Sequence, residues 1–224
     1  MKRRNVRIWT LLGLCVGVIS IITLACNNVE PVDSEDLGGR WSAAKWYSKC
    51  LNRLKEPTLK GMRGEVYRIL ILPTHGNATA VRVRKDGKLF VGVASRLDGK
   101  AGYEPGKLVE RTRFTLSEGE TKQLDALLVS SDFSSLATNE EPKNLGLDGD
   151  MWILEGTVDG HYHIVNRWSP VLGYSDEREL DPFISLVRFL FEVSKLSEQP
   201  NDAGYDVLTR VPRDKATPDI IGQP

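Results

Sequence analysis

Histidine and cysteine are scarce in this sequence, three of each in 224 residues, and that removes much of the usual catalytic repertoire. Nucleophile motifs are missing as well. No G-x-S-x-G occurs, Ser169 is followed by Pro170, and no glycine-rich loop joins a strand to a helix in the phosphate-cradling manner. Neither sign of charge is in excess: 30 Lys and Arg stand against 30 Asp and Glu. A nucleic-acid partner, which needs a concentrated basic face, is therefore not expected. No internal repeat is visible. What remains is ordinary globular composition, 41% hydrophobic and 27% charged, with length for one domain once the tails are set aside.

The first 25 residues read as a targeting segment. Lys2, Arg3, Arg4 and Arg7 form a basic start, and Ile8 to Ala25 is apolar and uncharged. It ends in Thr23-Leu24-Ala25-Cys26, which resembles a bacterial lipobox, with Thr23 where Leu is common. An ordinary secretion signal and a single N-terminal span are the other readings, since 18 apolar residues just reach across a bilayer. All three place the folded part outside the cytoplasm. The lipobox resemblance implies that Cys26 becomes the acylated first residue, carrying palmitate or a similar chain. Asn27, not Asp, follows it, which implies the outer membrane if the source is Gram-negative. Loss of the segment takes four basic and no acidic residues, so 30 minus 4 leaves 26 basic against 30 acidic. Cys15 goes with the segment, and Cys50 is then the one thiol of the domain. If Cys26 is not acylated, a Cys26–Cys50 bridge becomes available.

Residues 26–40 are polar, acidic and contain Pro and Gly, so they are expected to form a flexible tether. From Trp41 to Lys55 the apolar positions Ala43, Tyr47, Cys50, Leu51 and Leu54 fall on one helical face, and Pro57 ends the helix. After Gly64 the period changes to two. Strands are expected at Glu65–Leu72, Ala78–Lys85, Lys88–Ser95 and Leu108–Thr115, with Asp86-Gly87 as a tight turn. Arg82 and Arg84 alternate with Val81 and Val83, and Arg111 and Arg113 repeat the pattern. These arginines read as a solvated sheet face or as a basic stripe for anionic glycan or lipid headgroups. Ser117 and Glu120 have capping-box spacing for a helix to about Ser130, with Leu124, Leu127 and Leu128 on its buried stripe. Asp181-Pro182 is expected to start a last helix to about Leu196, and 197–224 to be a disordered tail.

The most legible stretch is Met151 to Trp168. Two runs of aromatic and β-branched residues are separated by Asp159-Gly160, the signature of a hairpin closed by a type I′ turn. One face carries Trp152, Leu154, Val158, His161, His163, Val165 and Arg167. The other carries Met151, Ile153, Glu155, Thr157, Tyr162, Ile164, Asn166 and Trp168. The second is slightly more apolar and is assigned to the core, which would bury Glu155 and demand a cationic or hydrogen-bonding partner for it. Trp152 opposite Arg167 suggests a cross-strand cation–π pair or a flat ligand platform. His161 and His163 are spaced like metal ligands, but Asp148 and Asp150 lie about 20 Å away along the strand and no third ligand joins the pair.

The elements Phe114-Thr115-Leu116-Ser117, Gly146-x-Asp148-Gly149-x-x-Trp152-x-Leu154-Glu155-Gly156 and Tyr162-His163-x-x-x-Arg167-Trp168-Ser169-Pro170 resemble a group of bacterial secreted and lipoprotein domains. That group implies kinship and no transferable activity, ligand, catalytic residue or cofactor.

The sequence thus predicts an α+β domain over 41–196, an antiparallel sheet of about six strands in a meander plus hairpin, with helices packed mainly on one face. The leading functional expectation is a lipid-anchored, periplasm-facing envelope binding or interaction module, with Trp152, His163 and Arg167 as the candidate binding face and an envelope protein or glycan as partner. A hydrolase using Glu155 or His163, and a purely structural envelope protein, are the alternatives. No catalytic, metal or cofactor residue is assigned.

Overall fold

The tight turns of the sequence dictate a continuous antiparallel sheet, and the structure, a computed structural model, builds one. It describes residues 41–139, 148–172, 179–202 and 204–209. The targeting segment, Cys26, the tether and the residues after 209 lie outside the described residues. Helix α1 (Trp41–Leu54) is followed by β1 (Val66–Pro73), β2 (Thr79–Asp86), β3 (Leu89–Leu97) and β4 (Leu108–Thr115). Then come α2 (Glu118–Ser130), the hairpin β5 (Asp150–Val158) and β6 (His161–Trp168), and α3 (Asp181–Val193). The six strands are ordered β4-β3-β2-β1-β5-β6, so the hairpin attaches beside β1 and α2 carries the chain back across the sheet.

Local chemistry sets the boundaries. Lys55 takes a positive φ of 55° and the Glu56 N–H bonds Leu51 O at 3.0 Å, so α1 ends in a left-handed cap just before Pro57. Ser117 and Glu120 form the reciprocal capping box at the start of α2. Asp159 and Gly160 sit at φ of 51° and 86°, as a type I′ turn requires. The β2–β3 turn is displaced by one residue from expectation: Asp86 pairs with Leu89, leaving Gly87-Lys88 as the turn with Gly87 at φ 62°. Glycine at the first turn position with an ordinary second residue is the alternative two-residue geometry, which needs only one positive φ.

Two of the three helices cover one face of the sheet and the third covers part of the other. Tyr67, Ile69, Ile71, Val81, Val83, Phe90, Trp152, Leu154 and Val165 pack with Leu124 of α2 and Phe183, Val187, Leu190 and Phe191 of α3. On the opposite side Leu70, Leu72, Ala80, Leu97, Ile153 and Ile164 pack under Tyr47, Cys50, Leu51 and Leu54 of α1. Both faces of the hairpin are therefore core, and the assignment of only the Ile153/Glu155/Ile164 face to the interior is corrected. The larger cluster lies on the Trp152 side, because the amphipathic α3 supplies eight buried residues there.

The packed chain also continues beyond 196, which moves the expected start of the disordered tail. A short hairpin, β7 (Asn201–Asp202) and β8 (Tyr205–Asp206), leads to Val207 and Leu208, both buried. Arg188 holds the end down with two bonds to Leu208 O, at 3.0 and 2.8 Å. Composition failed there because two apolar residues suffice when a ready-made core surface waits for them.

Candidate functional site

Glu155 is the natural place to begin, since a carboxylate at 1% exposure needs explanation. Register places it directly opposite Arg68 of β1. The Arg68 guanidinium donates to Glu155 Oε2 from Nε at 2.8 Å and from Nη2 at 2.5 Å, to Tyr47 OH at 3.0 Å and to Pro57 O at 2.5 Å. Tyr162 OH donates to the other oxygen, Glu155 Oε1, at 2.7 Å. Burial alone would lower the Arg68 pKa, but the charge of Glu155, then Tyr47 and Glu56, outweighs it and holds the group above its ordinary value. Burial, and after it the Glu155 charge, pushes both Tyr47 and Tyr162 well above the ordinary phenol range. Arg68 therefore stays charged, and Tyr47 and Tyr162 stay protonated, at physiological pH. Each Glu155 oxygen already has a donor and almost no surface, so the cluster is a closed structural network rather than an acid–base site.

Trp152, His163 and Arg167 share one face of the hairpin, but each is engaged by the domain's own chain. Trp152 is fully buried; its indole Nε1 donates to Asp150 Oδ2 at 2.5 Å and its ring lies 6.3 Å from that of Phe183. Arg167 is 4% exposed and donates from Nη1 to Ala137 O at 3.0 Å and Asn166 O at 2.8 Å. His163 Nε2 lies 2.9 Å from Leu136 O and its ring packs edge-on against Phe133 at 5.0 Å. With Asn166 N donating to Thr138 O, these contacts dock 136–139 on the outer strand of the sheet. The expected ligand platform is therefore covered by the chain's own α2–β5 connection and by α3. A small cavity of about 420 Å³ remains at the hairpin tip, lined by Tyr67, Phe133, Val158, His161 and His163 among others.

Cys50 is fully buried on the sheet-facing side of α1, and burial pushes its thiol up to about 12, which disfavours the nucleophilic thiolate at neutral pH. A bridge to Cys26 would require that helix to lift from the sheet.

The open feature of the molecule lies on the α1 side. Register aligns Thr157, Val66, Arg84, Val91 and Thr115 in one row across five strands, and Glu155, Arg68, Arg82, Val93 and Arg113 in the next. The helix α1 and the segment after Pro57 bury the β5–β1 end of both rows. Over β2, β3 and β4 nothing among the described residues closes the rows, and a cavity of about 800 Å³ opens there. Val91 and Val93 form its floor, Arg82 and Arg84 one rail, Arg113 the other, and Met62 and Val66 an end wall, with Lys195 also lining it.

The four alternating arginines thus divide. Arg82 Nε bonds Glu56 Oε2 at 2.7 Å. Arg111 Nη1 donates to Leu54 O at 2.7 Å and Ser95 Oγ at 3.1 Å, and its Nη2 lies 3.5 Å from Glu56 Oε1. Glu56, at 2% exposure, is thereby shared among three guanidiniums, Arg68 included at 3.8 Å. Arg84 and Arg113 are exposed and have no carboxylate within ion-pair distance among the described residues. The sequence signal for this site was the Val-Arg alternation, which gives no hint of which arginines Glu56 neutralises. No protein-family model matches the chain, and no curated protein matches it in sequence.

Proposed function

We propose that this protein is a binding module of a bacterial cell envelope, held at the membrane by acylated Cys26 and facing the periplasm, with the open trough on the α1 side as its binding surface. The observation that carries the reading is the pair Arg84 and Arg113, which line an open cavity with no carboxylate partner among the described residues while Arg68, Arg82 and Arg111 of that sheet face are neutralised or bonded. Arginines on an edge strand also discourage pairing with a second sheet, which would account for Arg113 on β4. Arg84 is on β2, an interior strand, so edge protection does not account for it. The mature chain is acidic by four charges, so a cationic trough on it is a local feature and not an average one.

Two experiments test this. At low ionic strength the full chain, in neutral detergent, is expected to bind phosphocellulose, and Arg84→Glu with Arg113→Glu to flow through with an unchanged melting temperature. Salt near physiological strength should weaken retention, because exposed charges are screened over about 8 Å. Failure of the wild type to bind at low salt would remove the trough from consideration. For the anchor, Cys26→Ala is expected to lose palmitate labelling and move from the membrane to the soluble fraction. Labelling at wild-type level in that variant would defeat the lipoprotein reading.

A further inference from the structure

We infer that the outer edge of β4 takes an extended acidic segment of another protein as an added strand, with a carboxylate of that segment set against Arg113. The inference rests on the reading of the trough as the binding surface, since Arg113 is one of its rails. Its first support is the main chain. The Leu116 N–H bonds Phe90 O at 2.9 Å, and in an antiparallel pair such bonds fall on alternate residues. Phe114 and Thr112 therefore turn their main-chain groups toward β3, and Arg111, Arg113 and Thr115 turn theirs outward. All three are exposed, and no strand lies beyond β4 among the described residues. The opposite edge differs, because β6 is covered by 136–139 through the Asn166 N–H to Thr138 O. The Phe114 ring leans inward over Gly92 of β3, where a Cβ would strike it, so it does not shield the β4 edge.

The second support is what arginines of this sheet already face. Arg68 on β1 stands directly opposite Glu155 on β5, and Arg96 on β3 directly opposite Glu110 on β4. Each donates from Nε to that carboxylate, at 2.8 and 3.2 Å. Arg113 has Val93 opposite it on one side and the open edge on the other. A glutamate on an added strand, opposite Arg113, would repeat the arrangement, and opposite charges facing across strands stabilise a sheet. The third support is the charge around that position. Arg82, Arg84 and Lys195 line the trough with Arg113, and no acidic residue does. A second copy of this chain is a poor fit. Antiparallel self-pairing sets Arg113 against Arg113, or Arg111 against Arg113 one step along, and like charges directly opposite are destabilising. The arginines that reject a copy select an acidic strand: main-chain bonds supply affinity, and charge supplies the choice.

The test uses the isotope-labelled full chain in a neutral maltoside detergent, with binding and amide exchange followed by NMR. The probe is a short peptide of alternating glutamate and threonine, blocked at both ends; a lysine–threonine peptide is the charge control. In the free chain the Arg111, Arg113 and Thr115 amides are expected to exchange fast, and the glutamate peptide to protect them. With glutamate opposite Arg113, the glutamate N–H groups point at β4 and the threonine N–H groups point away. Methylating the glutamate nitrogens should therefore weaken binding by about tenfold or more, and methylating the threonine nitrogens should not. Arg113→Glu should lose the glutamate peptide and prefer the lysine peptide, at an unchanged melting temperature. If both methylated peptides bind alike and both need Arg84 and Arg113, the trough binds charge only and the added strand is overturned. If no glutamate peptide binds, the added strand also falls, and retention on phosphocellulose decides whether the trough stands without it. Slow exchange of the three amides in the free chain would mean an edge already covered and would overturn the inference as well. Doubled mass would then identify a second copy, and single mass the chain's own acidic stretch 27–36.

Discussion

Arg68→Met is expected to destabilise the domain by about 3–5 kcal/mol, because it leaves Glu155 charged and buried without its cation. The two residues face each other on β1 and β5, the middle of the sheet, and neither has water to fall back on at 0% and 1% exposure. Tyr47 would lose a donor and Pro57 O its partner in the same change. Restoring neutrality should recover part of the loss, so Arg68→Met with Glu155→Met is expected to be more stable than Arg68→Met alone. A double-mutant cycle by urea denaturation, followed by circular dichroism, isolates that coupling. Additive losses would mean that the pair is held apart in solution and that Glu155 has another role. Such a result would return Glu155 to the list of acid–base candidates, whereas strong coupling marks it as part of the frame on which the trough is built.

The features legible in the sequence were those decided by neighbours in the chain. The I′ turn at Asp159-Gly160 follows from two residues, the capping box from four, and the α1 stripe of Tyr47, Cys50, Leu51 and Leu54 from one helical period; all are in place. The demand that a buried Glu155 have a cationic partner was also legible, though its identity, 87 positions away, was not. What escaped was decided by packing between distant segments. Both faces of β5–β6 are apolar enough to be buried, and which helix covers which depends on how α1 and α3 return to the sheet. Likewise Arg82, Arg84, Arg111 and Arg113 look alike in sequence. They differ only because Glu56, placed by the left-handed cap at Lys55, reaches Arg82 and Arg111 and leaves the other two facing open space.

Trp152→Ala should cost about as much as the loss of Arg68, again about 3–5 kcal/mol, by a different route. The indole is fully buried between β1 and α3, so its removal leaves a cavity that the sheet cannot close by collapsing. It also strips a donor from Asp150, which is 1% exposed and otherwise engaged with Ser169 through Asp150 N to Oγ at 3.0 Å and Ser169 Oγ to Oδ1 at 3.2 Å. Trp152→Phe separates the two contributions: it retains most of the packing and deletes the N–H, for an expected loss of about 1–3 kcal/mol. Arg167→Ala should be milder than Trp152→Ala, since it releases the carbonyls of Ala137 and Asn166 without opening the core. Amide exchange in that variant should rise first at Asn166, whose N–H is held by Thr138 O in the docked connection. The ordering, alanine worse than phenylalanine at 152 and both without effect on anion binding by a folded protein, is what a core residue requires. A Trp152→Ala protein of wild-type stability that had lost a ligand would instead place the recognition surface on the hairpin and take it away from the arginine trough.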